Sequence, residues 1–338
     1  MSTTVLVSGG AGYIGSHTCR HLLAAGHELV VIDNFYSGHR WAVPQQAQLI
    51  EGDIGDYALV SEVLRRHHID AVVHFAGHIV VPESVREPLK YYRNNTVASN
   101  RLLQACLDTG VEKFIFSSTA AVYGIPSSLP VAEDADVQPI NPYGTSKLMT
   151  EWMLRDLAAS GARFRYVALR YFNVAGARLD GTLGQATPDA THLIKLACEA
   201  ACGIRDGVTI YGTDYPTADG TCIRDYIHVD DLASAHVAAL DYLSENNDSQ
   251  ILNCGYGRGF SVREILDTVK EVSNIDFAVT EGDRREGDPP SLIANASRIQ
   301  QRLNWRPSLQ DIKLICQSAY NWERNYLRMK STLAAAKH

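Results

Sequence analysis

The sequence predicts an α/β protein, with a doubly wound parallel sheet and a smaller C-terminal α/β part. Three observations carry this. Short, continuously apolar runs alternate with amphipathic segments through the first half of the chain, as in a parallel sheet covered on both faces. A glycine-rich turn, within "VLVSGGAGYIGSH" (5–17), joins the first such run directly to the first helical segment. The alternation then loosens after Gly176, and 338 residues leave room for a second unit.

Taken in order, "TVLVSGG" (4–10) is the first strand and a helix follows from about Tyr13 to Ala25. "ELVVIDN" (28–34) and "AQLIEGD" (47–53) are the second and third strands, and "YALVSEVLRRHH" (57–68) is a helix. "DAVVHFAG" (70–77) is the fourth strand, with a long helix from about Pro88 to Thr109. "EKFIFSST" (112–119) is the fifth, followed by a loop and a helix over Asn141–Ser160; "FRYVALRYFN" (164–173) is the sixth. Beyond Gly176 come a helix near 190–202 and the strand "VTIYG" (208–212). "IHVDDLASAHVAALDYL" (227–243) is helical, and "SQILNCG" (249–255) is a strand suited to rejoin the main sheet. From Ser261 onward there are two or three helices and the strand "DFAVTEG" (276–282). The reading is therefore discontinuous. Residues 1–176 plus about 228–258 form the first unit, about 177–227 plus 259–330 the second, and 331–338 a tail.

Composition narrows the function. The net charge is −7 and the basic residues are scattered, which argues against a nucleic-acid partner. No apolar run reaches membrane-spanning length, and the first residues lack the basic start of a signal peptide. The seven cysteines are odd in number with no CxxC pair, so they read as reduced thiols of a cytoplasmic protein. His17, Cys19 and His21 offer three donors and no fourth, so no metal is expected.

Two stretches carry chemistry. Gly9, Gly12 and Gly15 stand between strand and helix, where glycine lets the backbone approach a pyrophosphate seated on the helix N-terminus. Asp33 ends the second strand, 18 residues after Gly15. A carboxylate there accepts the ribose hydroxyls of NAD and repels a 2′-phosphate. Asp53, after the third strand, is placed to meet the adenine. This is the signature of a Rossmann-type sheet. The second stretch is "NPYGTSK" (141–147). Asn141 is a helix cap and Pro142 the first helical residue. Tyr143 and Lys147, four apart, share one helix face near the positive end of the dipole. A lysine beside a phenol lowers the phenol's pKa and makes it a base. Alone, such a pair reads as an exposed phenol and a solvated ammonium. Here strand ends "FAG" (75–77) and "SST" (117–119) open to the same sheet edge, so Thr119, Tyr143, Lys147 and the nicotinamide converge.

Together the glycine loop, "HFAG", "SST..VYG", the YxxxK helix, "RYFN" and "RDYIHV.D" resemble the extended short-chain dehydrogenase/reductase family, to about residue 325. Within it the likeness is to enzymes that epimerise C4 of a UDP-hexose through a transient 4-keto sugar. The resemblance implies that Tyr143 is the base, that Lys147 binds the nicotinamide ribose and tunes the phenol, and that Thr119 bridges to the sugar hydroxyl. It implies that Tyr13, Ile14, Asp33, Asn34, Phe35, Tyr36, Ser37, Gly38, Asp53, Ile54, Phe75, Ala76, Gly77, Asn94 and Phe172 line the NAD. It implies that Asn173, His192, Leu193, Thr209, Tyr211, Arg224, Arg285, Asp288 and Leu292 hold the UDP-sugar, with both arginines on the diphosphate. Dehydratases of this fold carry acids directly after the Thr; here those positions are Ala120 and Ala121, which disfavours water loss. Ile79 stands where several relatives have Lys, His192 where others have Asn, and Leu292 at a sugar-pocket position that varies. A UDP-xylose/UDP-arabinose epimerase and a non-catalytic NAD-binding regulator are the alternatives. The helices near 88–109 and 142–160 correspond to those that form a four-helix homodimer interface in this family.

Overall fold

The computed structural model describes residues 2–246, 248–285 and 288–335. Its main sheet has seven parallel strands: β1 (Thr4–Ser8), β2 (Glu28–Asp33), β3 (Gln48–Glu51), β4 (Ala71–His74), β5 (Lys113–Thr119), β6 (Arg165–Tyr171) and β10 (Gln250–Cys254). They lie in the order β10-β6-β5-β4-β1-β2-β3. The strands are apolar throughout because both faces are covered. Val5, Val7, Val31 and Val73 point into one core, while Leu6, Val30, Ile32 and Val72 point into the other. The first face is closed by α1 (Tyr13–Ala24) and α8 (Val229–Glu245), whose Leu232, Ala235, Ala239 and Leu243 are fully buried. The second is closed by α2 (Tyr57–Arg66), α5 (Ala98–Thr109) and α6 (Pro142–Ala159). Strand order reverses between β1 and β4, and a crevice opens beyond their C-terminal ends.

The stretch expected as one helix from Pro88 is built in three pieces, α4 (Pro88–Tyr91), a π turn (Tyr92–Val97) and α5, after a short α3 (Val81–Arg86). The π turn turns Asn95 inward, where its side chain accepts from the His78 N–H at 2.8 Å and donates to Ser146 Oγ at 3.0 Å. The remaining elements form a second layer. A small sheet joins β11 (Gly259–Ser261), β9 (Ile223–His228) and β13 (Ser291–Leu292), with β7 (Asn173–Ala175) also on β9. A parallel pair joins β8 (Gly207–Tyr211) to β12 (Ala278–Gly282). Helices α7 (Leu193–Ala201), α9 (Val262–Ser273) and α11 (Ile312–Ala335) pack around Ile194, Val208, Ile265 and Ile315, while α10 (Ser297–Leu303) sits on the main sheet's core. β7, β9, β11 and β13 are not in the sequence reading, since β9 is broken by Arg224 and Asp225 and the others have only two or three residues. The expected tail is helical to Ala335, and 336–338 lie outside the described residues. Among the described residues no helix is long and apolar enough to cross a membrane.

Helix α6 is pinned to the sheet by a buried ion pair. Arg170 on β6 donates from Nε to Glu151 Oε1 at 3.0 Å and from Nη2 to Oε2 at 2.6 Å, and Ser118 Oγ adds a third bond at 2.5 Å. Both side chains are almost fully buried. Removing one partner of such a pair strands the other charge in a poor solvent. Glu151→Leu is therefore expected to destabilise the protein by about 3–5 kcal/mol, read from the midpoint of urea unfolding; an unchanged midpoint would show that the pair does not hold α6.

Candidate active site

A single cleft of about 1060 Å³ runs along the C-terminal edge of the main sheet and under the second layer. Its floor is the β1–α1 loop. Gly9 has φ +72°, and a Cβ there would lie 2.6 Å from the Ala76 backbone nitrogen. A Cβ at Gly15 would collide with the Gly9 carbonyl oxygen. These glycines let the turn pack against β4 and against its own helix. Gly12 caps α1 with no side chain, and no acid occupies the first turn, so the uncapped N–H groups face the cleft with the positive end of the dipole. Asp33, at the end of β2, accepts the Ala11 N–H at 2.9 Å and the Phe35 N–H at 2.8 Å. Burial raises its pKa, and these two bonds oppose the rise. Asn34 Nδ2 donates to Asp53 Oδ2 at 3.1 Å. The close-packed glycines, the uncapped helix and the acid beside them fit a dinucleotide with free ribose hydroxyls.

Tyr13, Ile14, Tyr36, Ser37, Gly38, Ile54, Phe75, Ala76, Gly77, Asn94 and Phe172 also line the cleft. Phe35 does not. Its backbone is left-handed, φ 57°, and its ring lies under the Arg40 guanidinium at 4.3 Å, so it serves Asp33 through its N–H alone. His17 and His21 both turn to Asp230, at 2.7 and 3.4 Å, and Cys19 Sγ faces the Gly10 carbonyl.

Opposite the loop, α6 brings in the tyrosine and lysine. Asn141 Oδ1 accepts the Gly144 N–H at 2.9 Å, and Tyr143 and Lys147 are buried side chains on the same face. Lys147 Nζ donates to the Ser117 carbonyl at 2.9 Å and lies 5.0 Å from the Phe116 ring centroid. Burial pulls its pKa down to about 8. Burial raises the Tyr143 phenol, and the hydrogen bond with Thr119 lowers it in part. Burial is thus the larger influence on the phenol, and the Thr119 bond is the one that opposes it. Thr119 Oγ1 also accepts the Ala121 N–H at 3.1 Å. Ala120 and Ala121 line the cleft and bring no carboxylate to it.

The second layer supplies the far wall. Asn173, His192, Leu193, Thr209, Tyr211, Arg224, Arg285, Asp288 and Leu292 all line the same cleft. Arg224 Nη2 meets Asp288 Oδ1 at 3.3 Å, and the Arg285 guanidinium stacks 4.0 Å over the Tyr211 ring. Leu292 pairs with Arg224 in the β9–β13 register, which brings the hydrophobic residue and the arginine to one wall. Sequence reasoning missed Gln185, Thr187, Cys222, Tyr226 and Val262 on this wall. They come from loops, from β9 and from the first turn of α9, and no spacing rule singles them out.

A family model described as "NAD dependent epimerase/dehydratase family" matches residues 5–255. The chain belongs to that family. Among curated members, the UDP-glucose 4-epimerase of Azospirillum brasilense is 58% identical over 96% of this chain and 93% of its own length. The crystal structure of UDP-glucose 4-epimerase from Brucella ovis in complex with NAD is 46% identical, with TM-score 0.91 over 94% of this chain and 98% of that one. The UDP-Glc/GlcNAc 4-epimerase from Campylobacter jejuni is 52% identical, with TM-score 0.84 over 96% of this chain and 100% of that one. As in an NAD-dependent epimerase, the cofactor half of the cleft rests on its glycines. Gly15→Val is expected to lower the NAD content of the purified protein at least roughly tenfold with its circular dichroism retained. The parent should release NAD(H) on denaturation; release of mainly NADP(H) would contradict the role given to Asp33.

Proposed function

We propose that this protein inverts C4 of UDP-glucose and UDP-galactose through a transient 4-keto sugar, with NAD retained between turnovers. The observation that carries the proposal is the convergence in one cleft of the Thr119–Tyr143–Lys147 group, the dinucleotide loop and two arginines suited to a diphosphate. When bound, NAD supplies the acceptor for the C4 hydrogen and its return. Tyr143, as the phenolate, takes the proton from the sugar O4, becomes the phenol, and gives the proton back after the sugar turns. Thr119 bridges Tyr143 and that hydroxyl. Lys147, held by Ser117, would bind the nicotinamide ribose. Arg224 and Arg285 grip the diphosphate through their planar forks while the sugar beyond stays free to rotate. Because C4 is restored, no net redox partner is consumed. With no acid at Ala120 or Ala121, the keto sugar is not driven to lose water.

The regulator reading finds no support in relatives that are enzymes, and the pentose reading has no residue that favours it over the hexose. We also read the first unit as 1–176 plus about 228–258, the second as about 177–227 plus 259–330 with 331–338 a tail, the compartment as the cytoplasm, and the assembly as a homodimer. Leu89 on α4, Val97 in the π turn and Trp152 on α6 are exposed apolar side chains on the elements that would pair. Light scattering at micromolar concentration is expected to give the dimer mass; a monomer mass would contradict the pairing.

Chromatography of nucleotide sugars after incubation tests the activity. UDP-galactose should convert to UDP-glucose without added NAD and in the presence of EDTA. Tyr143→Phe should slow that conversion by ~10²–10⁴-fold while NAD stays bound; near-normal turnover would remove the tyrosine from its role. Leu292, buried at the sugar end, should crowd an N-acetyl group, at a cost of ~1–3 kcal/mol. The parent is thus expected to handle UDP-N-acetylglucosamine one to two decades more poorly than UDP-glucose, at roughly 1.4 kcal/mol per tenfold. Leu292→Ser should narrow that gap. Equal rates in the parent would refute the argument from Leu292, and would place it with the C. jejuni enzyme in sugar range.

A further inference from the structure

His192 stands on the cleft wall as the N-cap of α7 and gives α7 no side-chain hydrogen bond. An asparagine in such a place presents donor and acceptor at any pH. A neutral imidazole donates only from the nitrogen that carries the proton, so its tautomer decides what it offers a ligand.

Gln185 Nε2 lies 2.9 Å from His192 Nδ1. An amide nitrogen only donates, so Nδ1 is the lone-pair nitrogen and the ring proton sits on Nε2. Gln185 is itself fixed. It is buried, and its backbone carbonyl accepts the indole N–H of Trp322 at 3.0 Å. Burial also lowers the pKa of His192 and keeps the ring neutral. Among the described residues Nε2 has no hydrogen-bond partner, and His192 shares the cleft wall with Arg224 and Arg285. A diphosphate offers acceptors only. A bare ring nitrogen facing it would repel, and an N–H would bind.

We propose that Gln185 is a positioning residue that fixes His192 as an Nε2–H donor to the diphosphate of the UDP-sugar. This rests on the reading of the cleft given above. The charged groups around the ring are Lys195 on α7, paired with Glu199 and with Glu323 of α11, and, across the cleft, Arg224 with Asp288 and Arg285 over Tyr211. The cations Lys195 and Arg224 each have a carboxylate partner, and none of these groups hydrogen-bonds the ring.

Gln185→Glu tests the proposal because a carboxylate only accepts. It demands a proton on Nδ1. The neutral ring then turns a bare Nε2 to the diphosphate, and only the imidazolium, favoured by the new carboxylate, keeps a donor there. Binding of UDP-glucose to the NAD-loaded protein is measured by titration calorimetry between about pH 6 and pH 8.5, a window that spans imidazole ionisation and in which a diphosphate diester does not titrate. Relative to the parent, Gln185→Glu should lose roughly tenfold in affinity from the acid to the alkaline end, about the worth of one charge-assisted hydrogen bond. Adding His192→Asn, whose amide donates without help, should flatten that profile to the parent's. Uniform weakening of Gln185→Glu at every pH, or a slope that survives His192→Asn, would overturn the proposal while leaving the UDP-sugar site intact. A parent that does not bind UDP-glucose would overturn both.

Discussion

The seat of α6 on the sheet governs the chemistry. Tyr143 and Lys147 lie in the first turns of that helix, and Glu151 lies one turn further along the same buried face. The ion pair of Glu151 with Arg170, and the bond from Ser118, fix the helix against β5 and β6. Lys147 reaches the Ser117 carbonyl of the same strand, and Thr119 at its end meets the phenol. One strand terminus, 117–119, thus sets three contacts within the space of one helix face. A small tilt of α6 would separate the phenol from the threonine and the lysine from the cofactor side together.

The second layer answers a different need. A sugar that must present both faces of C4 to one phenol and one cofactor cannot be gripped tightly. On the proposed reading the grip falls instead on arginines at the cleft's far wall, Arg224 paired with Asp288 and Arg285 over the Tyr211 ring. Binding energy taken at a remote, non-reacting group leaves the reacting ring room to turn.

The parts legible in the sequence are those set by local spacing. The glycine turn, Asp33 at the next strand end, and the Asn141 cap with Tyr143 and Lys147 four apart follow from helix and strand periods, and the structure brings them to one edge. The place of the Phe35 ring was not legible, because its position beside Asp33 says nothing of where the ring goes; a left-handed backbone sends it to Arg40. The strands β7, β9, β11 and β13 were missed because they carry no continuous apolar run: β9 is broken by Arg224 and Asp225, and the others have only two or three residues. Gln185 was missed for a related reason, since its partner Nδ1 lies across a loop. The electrostatic balance at Tyr143 was also out of reach: spacing places a lysine near a phenol but does not report how completely both are desolvated.

The central claim is that Tyr143 handles the O4 proton while the bound cofactor takes the C4 hydrogen and gives the same hydrogen back. Proton NMR of UDP-galactose converted to UDP-glucose by the purified protein in deuterium oxide tests this most directly. The account predicts that the product retains protium at C4, because the hydrogen leaves and returns as a hydride, which does not exchange with solvent. Deuterium at C4 of the product, acquired from solvent, would contradict it.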